Sequence, residues 1–184
     1  MESPRTTTST GSGTRPPPPT ARPSAWAPTS ARWPSATART TSRPLGLPTE
    51  RDAVGKLWEG DWQKYLDTGK KFMGDAPKGV KWVDSASGLY NAAISSSATR
   101  YYDEQGEVVY KTNPDVKEAW DVAAEAASED MTDKHELFTD SWNKAMNNGT
   151  FATLSCPAWM LGYIQDKGGE KAKGKWDVAP APKA

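Results

Sequence analysis

Apolar positions fall into short periodic blocks from Leu57 onward, and the first 44 residues have no such pattern. Asp61 is a suitable N-cap, and Trp62, Tyr65, Leu66, Phe72 and Met73 recur at three- and four-residue steps, which predicts a helix stopped by Asp75-Ala-Pro-Lys-Gly79. Val80-Lys-Trp-Val83 then reads as a strand, Asp84-Ser85 as its transition into a helix, and Gly88 to Ala98 as a small-residue helix able to approach a sheet closely. Tyr101 to Tyr110 has a turn at its centre with β-prone residues on both sides, which predicts a hairpin. Asn113-Pro114 supplies a cap and first residue for the next helix, with Val116, Ala119, Trp120, Ala123 and Ala127 on its expected buried face. Thr139 or Asp140 caps a further short helix through Trp142, Ala145 and Met146.

The densest signal lies in Asn147 to Gln165. Asn148-Gly149 offers the left-handed residue that stops a helix, and Phe151 to Leu154 is a short apolar run. Pro157 suits the first turn of a new helix, where its missing N–H would have had no intrahelical partner. A strand that runs into a helix N-terminus is where α/β proteins place ligands, which sets Trp159 at a candidate binding mouth. Asp166 to Lys175 reads as a solvated Gly/Lys-rich loop, and Trp176 to Ala179 as a last strand. Strands alternating with helices predict an α/β fold.

Composition divides the chain. Residues 1–44 hold nine of the fifteen prolines and lack Leu, Ile, Val, Phe and Tyr, so they cannot form a core. They carry six Arg against one Glu, whereas residues 45–184 carry 17 basic and 22 acidic side chains and form a mildly acidic segment of domain size. The first segment has two readings: a disordered Pro/Thr/Ser/Arg-rich tail, or the translation of a G+C-rich gene in a shifted frame. Back-translating residues 21–45 with allowed codons and reading one nucleotide earlier recovers GKTVGLGTDVGPMALCYRKDHLEAAG, which contains a strand, a turn and a helix.

Candidate chemistry is sparse. The single histidine, His135, lies in an acidic stretch with no nucleophile and no orienting partner, so it reads as a surface residue rather than a general base. The single cysteine, Cys156, precedes a helix N-terminus, a place that can activate a thiol, but behind an apolar strand it reads as inert packing. No carboxylate pair, phosphate loop, metal-ligand set or basic groove stands out, so the residues imply no enzyme, no cofactor, no metal and no nucleic-acid partner. The chain shows no apolar run long enough to span a membrane and no apolar signal segment. Seven tryptophans remain in residues 45–184. Periodicity assigns Trp62, Trp120 and Trp142 to the core, and leaves Trp159 open between core and ligand contact. In the second case its ring would lie against the apolar face of a sugar.

Several blocks resemble one family. Asp84-Ser-Ala-Ser-Gly-Leu-Tyr-Asn91, Arg100-Tyr-Tyr-Asp-Glu-Gln-Gly106, Asn113-Pro-Asp-Val-Lys-Glu-Ala-Trp120, Gly149-Thr-Phe-Ala-Thr-Leu-Ser-Cys-Pro-Ala-Trp-Met160 and Trp176-Asp-Val-Ala-Pro-Ala-Pro182 are similar, in order and spacing, to extracellular solute-binding proteins of sugar ABC transporters, the maltose-binding-like group of actinobacteria. The resemblance implies a periplasmic-binding-protein-like (type II) fold with two lobes closing on an oligosaccharide. Here that fold would be incomplete and mainly the second lobe, carried by residues 45–184 behind the tail of 1–44. It implies a monomeric extracellular receptor, lipid-anchored at its full length and delivering sugar to permease subunits, with Trp159 as the stacking ring and Tyr90 and Asp84 as further substrate-binding residues. It also implies that the chain is a fragment without signal peptide or anchor, and the recovered string resembles the family's hinge-proximal strand. Two other readings of the residues are a secreted glycan-active enzyme fragment and a free-standing interaction module.

Overall fold

The structure is a computed structural model and describes residues 35–38 and 47–182. Within these the chain runs β1 (Ser35–Ala38), α1 (Arg51–Trp58), α2 (Trp62–Asp75), β2 (Lys81–Val83), α3 (Ala86–Ser95), α4 (Pro114–Ser128), α5 (Asp140–Asn148), β3 (Phe151–Ser155), α6 (Ala158–Ala172) and β4 (Trp176–Ala179). The expected caps form. Asp61 accepts from Gln63 N, Asn113 from Asp115 N and Thr139 from Trp142 N; Ser85, read from the sequence only as part of a transition, also caps by accepting from Gly88 N, so α3 starts at Ala86 rather than at Gly88. Gly149 ends α5 at φ 71°, a backbone state that a residue with a Cβ enters only under strain.

The four strands form one sheet in the order β2-β3-β1-β4. β2 and β3 are parallel, with Val83 opposite Thr153, while β1 is antiparallel to both β3 and β4. Helices cover the sheet in two apolar clusters. The larger joins α1 to α4 with β2 and includes Trp58, Trp62, Tyr65, Leu66, Phe72, Trp82 and Leu89; the smaller gathers Trp142, Met146, Phe151, Leu154, Cys156, Met160 and Ile164 from α5, β3 and α6. A buried polar junction fastens the centre, where Thr153 Oγ1 lies 2.6 Å from both the Trp82 carbonyl oxygen and the Tyr65 hydroxyl. Because the Thr153 hydroxyl has one proton and donates it to the carbonyl, the Tyr65 hydroxyl donates to Thr153, so both buried groups are satisfied.

The structure departs from the sequence expectations in four places. Trp120, expected in the core, is 67% exposed, because α4 buries Ala119, Val122, Ala123 and Ala126 and Trp120 stands about 100° round the helix from Ala119; Ala127 is exposed for the same reason. The run read as a loop from Asp166 continues α6 to Ala172, interrupted by the non-helical Gly169. A helix that the pattern did not predict, α1, precedes α2 and is anchored by the Trp58 indole N–H donating to the Pro180 carbonyl at 2.8 Å. The hairpin at 101–110 reduces to one bridge, Tyr102 with Val108, around a turn closed by Gly106.

A further difference falls in the first segment. Four of its residues, Ser35–Ala38, form β1 between β3 and β4. Pairing there is made by main-chain groups offered from both sides, so a run without large apolar side chains can fill the position. The rest of the segment, with the tail and shifted-frame readings attached to it, lies outside the described residues.

Gly69 of α2 faces the indole of Trp82. A Cβ at Gly69 would come within 2.5 Å of Trp82 Cδ1, and Trp82 is buried on all sides. Gly69→Ala is therefore expected to lower stability by about 1–3 kcal/mol through overpacking, outweighing the ~1 kcal/mol that alanine gains over glycine in a helix. A reduced urea midpoint with an unchanged slope is the expected readout.

Candidate functional site

The parallel pairing of β2 and β3 brings two strand-to-helix transitions to one edge of the sheet. Asp84 N donates to Thr153 O at 3.1 Å, and Ser155 Oγ donates to the Gly88 carbonyl at 2.9 Å, so the start of α3 and the end of β3 are bound together. Gly88 is needed at this join because a Cβ would stand 2.8 Å from Ser85 Oγ. On the neighbouring transition Pro157 occupies the N-cap position of α6, and no side chain caps that helix. Trp159, the second residue of α6, is 59% exposed.

Trp159 rests on an aromatic base. Its ring lies 5.7 Å from Phe138 at 46°; Phe138 lies 5.6 Å from Trp142 and 5.4 Å from Tyr163. Trp142 is fully buried and its indole N–H donates to Asp84 Oδ2 at 3.3 Å. Thus Asp84 and Trp159 share one neighbourhood, linked through Trp142 and Phe138. Asp84 lies beneath the mouth rather than on it, at 2% exposure, and acts by holding Trp142. Tyr90 lies elsewhere on α3: its hydroxyl is 3.1 Å from that of Tyr101 and its ring meets the edge of Trp120 at 6.5 Å. The structure therefore joins two of the three sequence-derived residues and sets Tyr90 against α4 and the 101–110 turn.

Phe138 was not singled out in the sequence. It sits immediately before the Thr139 cap, in a polar run, where nothing in the periodicity marks it. The available signal was a large aromatic in a segment with no apolar face of its own.

Among the described residues the ionisable groups give no acid–base or nucleophilic constellation. Burial pushes the Cys156 thiol up to about 11, opposite to what activation requires, and His135 is exposed 3.7 Å from Asp133. Among the described residues no three His, Cys, Asp or Glu side chains gather as a metal set, and no helix is long and apolar enough to cross a membrane. The roomiest cavity described, about 710 Å³, is lined by Leu161, Ile164, Trp176 and Val178 and does not include Trp159, which faces solvent directly.

No protein-family model matches the chain, and no curated protein does. Solved structures do. An extracellular solute-binding protein of family 1 superposes with a TM-score of 0.72 at 34% identity, covering 80% of this chain and 37% of that one. This chain has the fold of part of an extracellular solute-binding protein. The ABC-transporter-associated binding protein of B. animalis subsp. lactis Bl-04, solved with β-1,6-galactobiose, gives a TM-score of 0.67 at 20% identity over 83% of this chain and 37% of its own. The galacto-N-biose/lacto-N-biose I-binding protein of Bifidobacterium longum, solved with lacto-N-biose, gives 0.62 at 14% identity over 81% and 36%. The chain thus spans a little over a third of the length of these solute-binding proteins. The periplasmic-binding-protein-like fold implied by the sequence blocks is the fold observed.

Asp84 also sets a pH dependence. Burial is the main cause that lifts its carboxyl to about 7, opposed by the Trp142 hydrogen bond and helped by the nearby Asp133 charge. In the unfolded chain the same group ionises near 3.9. Between those values the native state keeps a proton that the unfolded chain has lost, so this contribution to stability is complete below about pH 4 and is lost as pH rises to about 7. Asp84→Asn is expected to remove that decline, on the order of 2–4 kcal/mol. Urea unfolding of parent and variant at acid and neutral pH, read as the difference between the two proteins, measures it.

Proposed function

We propose that the chain carries one side of the sugar site of an extracellular ABC-importer receptor, with Trp159 as the surface against which a pyranose ring lies. The observation that carries this reading is the half-exposed indole at the uncapped start of α6, seated on Phe138 at the sheet edge where β2 and β3 both end. An indole supplies a broad apolar face and a polar N–H, which suits the C–H face and hydroxyl rim of a sugar. The fold supports the reading, because structures that share it hold β-1,6-galactobiose and lacto-N-biose.

On this reading the protein binds and releases its ligand without chemistry. A second lobe would close over the sugar, and the loaded receptor, a monomer lipid-anchored outside the cell, would meet permease subunits. One wall of a cleft gives fewer contacts than two, so this chain alone is expected to bind sugar weakly or not at all, no tighter than about millimolar.

Saturation-transfer NMR with β-1,6-galactobiose, lacto-N-biose and laminaribiose at millimolar concentration tests the proposal. Transfer to at least one of these sugars is expected, and Trp159→Ala is expected to weaken it at least about tenfold, equivalent to ~1.4 kcal/mol. Undiminished transfer in a folded Trp159→Ala variant removes the residue from the site, and cleavage of the sugar replaces the receptor reading with an enzyme.

A further inference from the structure

β1 occupies a place in the sheet that its composition does not suit. It pairs on both sides, and the residues it pairs with show which face each position belongs to. Position 35 registers with Ala179, a member of the larger cluster, and position 37 with Thr153, which bonds Tyr65 of that cluster. Positions 36 and 38 register with Leu154, Val178 and Trp176, which pack in or against the smaller cluster. Both faces of this slot are therefore covered by helices, and Thr153, Leu154 and Ala179 are each at most 2% exposed. A strand with neighbours on both sides and both faces covered ordinarily carries large β-branched, aliphatic or aromatic residues. Ser-Ala-Thr-Ala offers one threonine and nothing larger.

We propose that the slot between β3 and β4 is built for a large apolar strand, and that its occupant is the segment which the same nucleotides encode when read one nucleotide earlier, Leu-Cys-Tyr-Arg at positions 35–38. Codon choice leaves little freedom at its start. Trp33 has the single codon TGG, so the earlier frame must place leucine, methionine or valine at position 33 and alanine at 34. Any TCN codon for Ser35 then places Phe, Leu, Ile or Val at position 35. The alternation of the encoded strand matches the two faces of the sheet. Leucine and tyrosine, at 35 and 37, fall on the face of the larger aromatic cluster; cysteine, at 36, falls between Leu154 and Val178, and arginine ends the pairing opposite the partly buried Trp176. Because side chains alternate with a period of two, a slip of one residue would set leucine and tyrosine on the other face, so the agreement depends on register as well as on composition. Ser35–Ala38 meets the main-chain pairing of the slot, and the encoded strand adds the apolar bulk that its faces would bury. The slot stands apart from the sugar site, so either can fail without the other.

The test is the urea midpoint of the full chain under reducing conditions. The variant Ser35→Leu, Ala36→Cys, Thr37→Tyr, Ala38→Arg is expected to unfold about 1 M later in urea than the parent. A second variant, Ser35→Cys, Ala36→Leu, Thr37→Arg, Ala38→Tyr, holds the same residue types with the two faces exchanged and is expected to give no gain. An unchanged or lowered midpoint in the first variant overturns the proposal. An equal gain in the second also overturns it, because apolar content rather than the slot would then decide. The nucleotides supply an independent check. A TCN codon is expected at Ser35; an AGY codon, which puts Lys, Gln, Glu or a stop at position 35 of the earlier frame, overturns the identity of the strand even where the first variant gains stability.

Discussion

The arrangement depends on β2 and β3 being parallel. Two strands running the same way must end at the same edge, and each here continues into a helix, so two helix starts face outward together. The pairing is held by more than main-chain bonds. Thr153, fully buried on β3, spends its hydroxyl proton on the Trp82 carbonyl and accepts from Tyr65, which locks β3 against β2 and α2 at once. In a low-dielectric interior such a satisfied network is stiff, because any slip leaves polar atoms without partners.

From that edge a single line of contacts reaches solvent. Asp84 follows β2 below the surface, takes the Trp142 indole N–H, and Trp142 carries Phe138, which carries Trp159. Trp142 also stacks on Phe151 of β3 at 5.8 Å, so the same ring that supports the mouth packs the core beneath it. The exposed tryptophan is thereby pre-oriented, which on the proposed receptor reading lowers the entropy lost on binding a sugar. The buried carboxylate is part of this support: Asp84 Oδ1 has no hydrogen-bond partner among the described residues, and desolvation favours its neutral form. The mouth therefore stands on a polar group whose charge would be costly.

Much of the fold and part of the candidate site's placement were legible along the chain. Capping residues act locally, so Asp61, Asn113 and Thr139 announced helix starts that the structure keeps, and Gly149 announced a stop. Trp159 was legible for a similar reason: its place follows from a strand, a proline and a helix start within ten residues. Trp120 was misjudged because a helical stripe of 116, 119, 120, 123 and 127 and one of 119, 122, 123 and 126 both fit a 3.6-residue period, and the neighbouring α3 selects the second. The extension of α6 beyond Asp166 was missed because a glycine-rich polar run carries no apolar face, and the helix does leave helical geometry at Gly169 before its last turn ends at Ala172.

By itself, then, the sequence determined what short-range forces decide: where helices begin and end, which runs extend, and which aromatic opens a helix at a strand end. Tertiary structure alone decided whatever depends on residues distant in the chain. It set β1 between β3 and β4 through main-chain pairing that composition does not encode, and turned Tyr90 toward Trp120 rather than toward Trp159. It also buried Asp84 under Trp142 and braced Phe138 at a strained backbone angle against Trp159. The physical reason is range: caps and turns are settled within a few residues, whereas ring contacts and desolvation exist only once separate elements have been brought within a few ångströms of one another.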